Sequence, residues 1–301
     1  QPLPGRTAIT TTQSICPVGA PLRRFAVAAL DFPLPMLGGK AGKLFVLREQ
    51  KEALLTSGLP PEPLALRVNR GVCLLVTLTN ETAGGPVSFY ADLPAAAGTG
   101  LHVGRNLGEQ TVLPGATGVY TYYAHPSLGE RAALVRDGGD PLVNARLGLY
   151  GAVIVGPTGA AYTDPATGAD ISAASSWRAD VRLPDGSAYR DFALFLQDED
   201  TVIGTHLMPY TQQVAGVVGL NYRNAGKWSG EGTPVTPLLE AYAGDPIRLH
   251  VLVPSSEQAH VFSLEGHRWP LQPGRAGSDL LDAVQVGGLE AVTLQPIGGA
   301  G

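Results

Sequence analysis

The sequence predicts an all-β protein built from two tandem Greek-key β-sandwiches, the second lacking its last strand or strands. Three observations carry this reading. In residues 244–269, GDPIRLHVLVPSSEQAHVFSLEGHRW, the apolar Ile247, Leu249, Val251 and Val253 alternate with Arg248, His250 and Leu252, the period of two of a half-buried strand. The same block recurs upstream at an offset of 173: Gly71 matches Gly244, Val76 matches Leu249, Phe89 matches Phe262, Tyr90 matches Ser263 and Asp92 matches Glu265. The composition, with 39 Gly, 25 Pro and only 16% charged residues in 301, is rich in turns and poor in the charged surface of a helical bundle.

The chain divides into a first unit with an N-terminal arm (1–160), a linker (161–185) and a second unit (186–301). The arm carries Pro, Gly and a Thr run and ends near Cys16. RFAVAAL (24–30) and KLFVL (43–47) read as strands on either side of a Pro/Gly turn segment, and 64–69 with 72–80 as a strand pair or one bent strand. Residues 87–92 follow, then a Gly-rich loop into LHVGRN (101–106). The Pro114-Gly115 turn leads into GVYTYYA (118–124), whose alternation buries one face. An irregular segment through Asp137, Asp140 and Asn144 precedes LYGAVIV (149–155), a closing strand apolar enough to lie between two sheets.

The Gly, Ala, Ser, Thr, Pro and Asp content of the next stretch reads as linker with surface turns. The second unit opens with DFALFLQ (191–197) and an acidic run, Asp198 to Asp200, read as a solvated turn, with a hard-cation site as the other option. Residues 205–215 leave room for one short helix. LEAVTLQ (289–295) aligns with the 118–124 strand, and there the copies part: no counterpart of the closing strand follows. A sandwich without it would expose an unpaired edge. The expectation is that another protein chain or a missing C-terminal segment completes the second unit, in an oligomer.

A formal charge of −5 and the absence of a Lys/Arg cluster argue against a nucleic-acid partner, and no apolar run is long enough to span a membrane. Cys16 and Cys73 are the only cysteines. They either pair, worth about 4 kcal/mol by loop-closure entropy, or are two buried thiols. Pairing, and a start at Gln1 without Met or an apolar leader, are what a secreted protein, extracellular or periplasmic, would show. Asn80-Glu81-Thr82 forms a glycosylation sequon.

The carrying segments VRLPDGSAYRDFALFLQDEDTVIGTHLMPY, VAGVVGLNYRNA, GDPIRLHVLVPSSEQAHVFSLEGHRWP and VGGLEAVTL, with LPGATGVYTYYAHPSLG and GLYGAVIV in the first unit, resemble the multicopper oxidase family. That family is built from cupredoxin domains, and the resemblance is greatest to its large bacterial manganese-oxidase and ceruloplasmin-like members. It implies two cupredoxin-like sandwiches, copper as cofactor, and oxidation of a reductant by O₂. Family chemistry uses a blue copper held by two His and a Cys thiolate, and a trinuclear cluster held by eight His. Six histidines cannot supply that set, so this chain is not a complete oxidase by itself.

Laid on the family's motifs, HVFSLEGH puts His260 at the blue-copper histidine and His267 at the trailing one, with Ser263 and Glu265 in place of two cluster ligands. Tyr90 stands where the first motif needs His, near His102. Tyr123 and His125 stand where the second needs a pair. The Cys-bearing motif is absent. The metal candidates are therefore His260, His267, His125 and His102. His250 and His206 read as packed side chains and Met208 as core. Two functions follow: a part or subunit of a copper-dependent oxidase completed by other domains or chains, with His260 as this chain's contribution, or a non-catalytic, copper-depleted structural or assembly subunit of an extracellular complex. Copper storage by a lone site is weaker, since no thiolate ligand is visible.

Overall fold

The computed structural model describes residues 15–95, 111–141, 143–199, 217–223, 237–256 and 258–297. The first unit contains β1 (Leu22–Pro33), β2 (Ala41–Leu47), α1 (Arg48–Thr56), β3 (Leu64–Asn69), β4 (Cys73–Glu81), β5 (Tyr90–Ala91), β6 (Thr117–Tyr123), β7 (Arg131–Arg136) and β8 (Tyr150–Gly156). They form two four-stranded sheets, ordered β2-β1-β4-β6 and β3-β8-β7-β5. Side chains that alternate inward along both sheets, among them Phe25, Val76, Phe89, Tyr122, Val135 and Val153, make the core between them. This is a closed Greek-key sandwich, as the strand pattern predicts.

Three local expectations change. Residues 64–69 and 72–80 are neither a pair nor one strand: β3 joins one sheet and β4 the other, because the turn at Arg70 and Gly71 (φ 85°) sends the chain across the sandwich. Strand β7 lies inside the stretch expected to be irregular. Its residues are apolar on both faces, Ala133 and Val135 facing the core of the unit and Ala132 and Leu134 facing the second unit, so no alternation marks it. Helix α1 follows from REQKEALLT, a run of helix formers with no β-branched residue before its last position.

Cys16 and Cys73 are disulfide-bonded, with Cα atoms 5.8 Å apart, which settles the alternative of two buried thiols. The bond ties the N-terminal arm to the first residue of β4. The sequon asparagine is fully buried: Asn80 Nδ2 donates to the Gly85 and Val112 carbonyls, and its Oδ1 accepts from Thr82.

The second unit contains β9 (Ala161–Thr163), β10 (Arg178–Arg182), β11 (Ala188–Glu199), β12 (Val217–Leu220), β13 (Ile247–Ser256), β14 (His260–Ser263), β15 (Trp269–Pro270), β16 (Leu280–Leu281), β17 (Ala283–Val286) and β18 (Glu290–Leu294). One sheet runs β18-β13-β11-β10-β9, with β12 on the far half of β11; β14-β17 and β15-β16 are separate two-stranded ribbons. The segment 161–185, expected as linker, thus supplies two sheet strands. The turns between β9 and β10 dominate its composition, while Tyr162, Ala179 and Val181 bury a small core of their own with Tyr189. Among the described residues nothing in this unit takes the place of β7 and β8. The fold is therefore that of cupredoxin-like β-sandwich domains, and counterparts of β7 and β8 are found only in the first unit among the described residues. Among the described residues no helix is long and apolar enough to cross a membrane.

The two units meet face to face. Strand β8 is buried along its whole length because one face serves its own core and the other packs on β11 and β13. Tyr150 stacks on Phe195 at 5.9 Å between ring centres, and Tyr222 Oη donates to the Gly148 carbonyl at 2.5 Å. Tyr222 and Asn221 both adopt left-handed backbone (φ 65° and 49°). Asn221 stabilises this turn by accepting from the Phe195 amide at 2.8 Å and donating to the Ala193 carbonyl at 3.1 Å, beside the register shift in β11.

Candidate metal centre

Each candidate histidine sits in a definite local structure. His125 follows β6, exposed, and holds the next turn: its Nδ1 lies 2.7 Å from Ser127 Oγ and accepts from the Ser127 amide at 3.2 Å. Its ring meets Tyr123 edge-on at 5.5 Å. His260 opens β14 half-buried, its Nε2 3.0 Å from Ser256 Oγ. That hydroxyl also contacts the carbonyls of Asp198 and Gln258, so it ties the β13–β14 turn to β11. His267 lies in the loop after β14, with Nδ1 2.9 Å from the Glu265 carbonyl. His102 and His206, with Met208 and Asp200, lie outside the described residues.

Among the described residues the candidate histidines are not gathered into one site, and no group of three or more His, Cys, Asp or Glu could hold a metal ion. The motif positions Ser263 and Glu265 are exposed, one on β14 and one just beyond it, and Tyr90 packs beneath the Arg136 guanidinium, 4.9 Å from its ring centre. The Tyr90 hydroxyl is pushed above its ordinary pKa, first by burial and then by Asp92.

The most buried charged cluster lies elsewhere, at the seam between the units. Arg67 of β3 reaches out of the first unit, its Nε 3.0 Å from Asp191 Oδ2 on β11. His250 of β13 places Nε2 2.7 Å from the other oxygen, Asp191 Oδ1, and Nδ1 2.9 Å from Thr293 Oγ1 on β18. Arg67, Asp191 and His250 are all essentially inaccessible. Burial alone pushes the Asp191 carboxyl up, but His250 and Arg67 outweigh it through charge and hydrogen bonding and hold it at about 2. The sequence holds a partial signal for this cluster: Arg67 in LALRVN is a lone charge inside an apolar strand, where a charge is kept only with a partner.

The donor set does not fit copper of the blue or trinuclear kind. The only two thiols in the chain are consumed in a disulfide, which removes the thiolate. Both ring nitrogens of His250 are engaged, and the described candidate imidazoles each serve their own turn.

Among solved structures, the chain is similar to a multicopper oxidase, with a TM-score of 0.58 and 17% identity over 91% of this chain and 79% of that one. It is similar to the copper nitrite reductase of Nitrosomonas europaea, with a TM-score of 0.58 and 16% identity over 92% of this chain and 84% of that one. It is also similar to Fet3p, a multicopper oxidase that functions in iron import, with a TM-score of 0.57 and 14% identity, where it spans 93% of itself but only 46% of that chain. No protein-family model and no curated protein matches the sequence. At these identities the likeness establishes the fold.

Proposed function

We propose that this chain, which has the two-domain fold of the copper oxidases, is a ligand-depleted cupredoxin pair: a structural unit of a copper-oxidase-like protein whose redox centres lie in other domains or chains. The observation that carries this is the Cys16–Cys73 disulfide, which leaves no thiolate for a blue copper in a chain of two cysteines. The seam supports it as well, because Arg67, Asp191 and His250 spend a histidine on fixing the units against each other. In this reading polypeptide beyond residues 1–301 completes the second unit, and the assembly is oligomeric and works in an oxidising compartment, extracellular or periplasmic, where the disulfide persists.

Copper loading tests the proposal. The chain is incubated with cupric or cuprous ion, freed of excess metal, and measured by elemental analysis and by absorbance near about 600 nm, where thiolate-bound copper is intensely coloured. Protein without retained copper and without the band is expected; a blue band at one copper per chain overturns the reading.

One observation favours the catalytic alternative, in which His260 lends a ligand to a copper oxidase completed elsewhere. His260 is half-buried, and its Nδ1 has no partner among the described residues. On that alternative His260→Ala lowers the copper content of the complete oxidase; on the structural reading it leaves that content unchanged.

A further inference from the structure

The two units share one pairing plan around β14, and this lets the first unit show what the second is missing. Val87 bridges Val112 in the first unit; in the second, His260, the counterpart of Val87, pairs with Val286, one residue beyond the counterpart of Val112. On the other side of this strand, Tyr90 and Ala91 pair antiparallel with Arg136 and Val135 of β7, and the Asp92 amide donates to the Leu134 carbonyl at 3.1 Å. The pair is locked by a side-chain bond, Arg136 Nη2 to Asp92 Oδ1 at 2.9 Å. The counterparts Ser263, Leu264 and Glu265 have no strand on that side among the described residues; on the other side Ser263 pairs with Ala283 of β17, and the Leu264 and Glu265 carbonyls meet the His267 amide and Nδ1.

The environments differ accordingly. Ser88 is 2% exposed and its counterpart Val261 is 72% exposed. Phe89 and Ala91 are inaccessible, whereas Phe262 and Leu264 are only partly buried. Beside this edge lies an open groove of about 870 Å³ where Leu264, Leu280 and Ile297 meet the carboxylates of Glu265 and Asp282, with Arg268 on the same wall. Leu280 and Ile297 are 48% and 55% exposed. Isolated exposed apolar residues are ordinary, but these line one trough next to an unpaired strand edge.

We infer that the edge at Ser263 to Glu265 is a docking site for an added antiparallel β-strand from outside residues 1–301, with small apolar residues alternating toward Phe262 and Leu264 and an arginine or lysine opposite Glu265. The inference rests on the reading above that the second unit is completed from outside, and specifies the place, direction and chemistry of the completing strand. Backbone hydrogen bonds along the edge supply affinity, and the alternating side chains with the single basic residue set the register. Glu265 is the counterpart of Asp92, so it takes the role that Asp92 plays toward Arg136.

A synthetic peptide with the sequence of residues 130–156, which carries the chemistry of β7 and β8, is the probe. It is titrated into the intact 301-residue chain by fluorescence anisotropy, with amide exchange read at residues 261–265. Saturable binding with slowed exchange at those amides is expected. Glu265→Lys weakens it by about tenfold, the factor for one ion pair of about 1.4 kcal/mol, and a peptide carrying R136E restores binding to that variant. The inference is overturned by three results: no binding, binding indifferent to the charge exchange, or protection of the same amides in the absence of peptide with concentration-dependent self-association, which would make the occupant a second copy. Displacement of the chain's own β7 by the peptide would leave residues 261–265 unprotected and also counts against it. Copper retention is read separately, so failure of docking with a copper-free chain removes the strand and not the ligand-depleted reading.

Discussion

Ser88 and Val261 hold the same place in two copies of one β unit and meet opposite surroundings. The Ser88 amide donates to Asp137 Oδ1 at 2.6 Å, and its hydroxyl accepts from the Gly138 amide at 2.6 Å, because the end of β7 folds down over it. Val261 projects into solvent. Between the copies the central strands and their parallel pairing (β1 with β4, β11 with β13) are kept, and the Val87–Val112 bridge recurs as His260–Val286 with a shift of one residue. The covering strands are not kept. Among the described residues, 24 buried residues of the first unit form one core with two partly buried neighbours, and in the second nine buried residues are flanked by seven partly buried ones. A sheet's pairing can therefore survive without the layer that covers it, provided the opposite face is buried, and the first unit buries that face through β7 and β8.

The sharpest break of the comparison comes from matched truncations. Phe89→Ala removes an inaccessible ring that touches Phe45, Tyr120 and Tyr122, and should cost about 3–5 kcal/mol. Phe262→Ala at the matching place should cost less than half of that, since its ring is already partly in water. Urea midpoints of the two variants check this, and equal losses would mean that the second unit is as closed as the first.

At the seam, Asp191→Ala strands the buried Arg67 and should cost about 3–5 kcal/mol, against under about 1 kcal/mol for Glu240→Ala, which breaks the exposed pair with Arg178. The pH dependence has a definite sign. The Asp191 carboxyl titrates at about 2 in the folded chain, below an unfolded value near about 3.9. Its contribution, on the order of 2–3 kcal/mol, is complete above pH of about 4 and lost as pH falls toward about 2. Asp191→Asn should flatten that part of the acid-unfolding curve.

Much of this architecture is legible in the residues. Where one face meets core and the other meets polar groups, as along Ile247 to Val253, the period of two names the strand. Where both faces are buried, as in β8, an unbroken apolar run names it. Strand β7 fails both tests because it is short and its two faces bury small residues, and β9 and β10 are hidden by the turns between them. The expectation of an open second unit comes from the repeat, which supplies its own standard of comparison. The candidate metal residues were placed by resemblance, and a motif position says nothing about which neighbour takes up a ring nitrogen. The seam cluster depends on a contact between Arg67 and Asp191, 124 positions apart, which no local pattern encodes.

Smaller effects sharpen the contrast further. Val261→Ser should change stability by under about 0.5 kcal/mol, as for an exposed site, while Ser88→Val should cost about 1–3 kcal/mol by leaving the buried Gly138 amide without its acceptor. Expression in a glycosylating host should leave Asn80 unmodified by mass, since its side-chain amide is buried and bonded in the fold.

The difference between a closed and an open copy is tested most directly by native-state amide exchange at matched positions. Ser88 and Asp92 donate to Asp137 and to the Leu134 carbonyl, so their amides should exchange slowly, near the rate of global unfolding. Those of Val261 and Glu265 should exchange at least about a hundredfold faster in the isolated chain. Equal protection at the two pairs would show that the second unit is already closed, and would contradict the account.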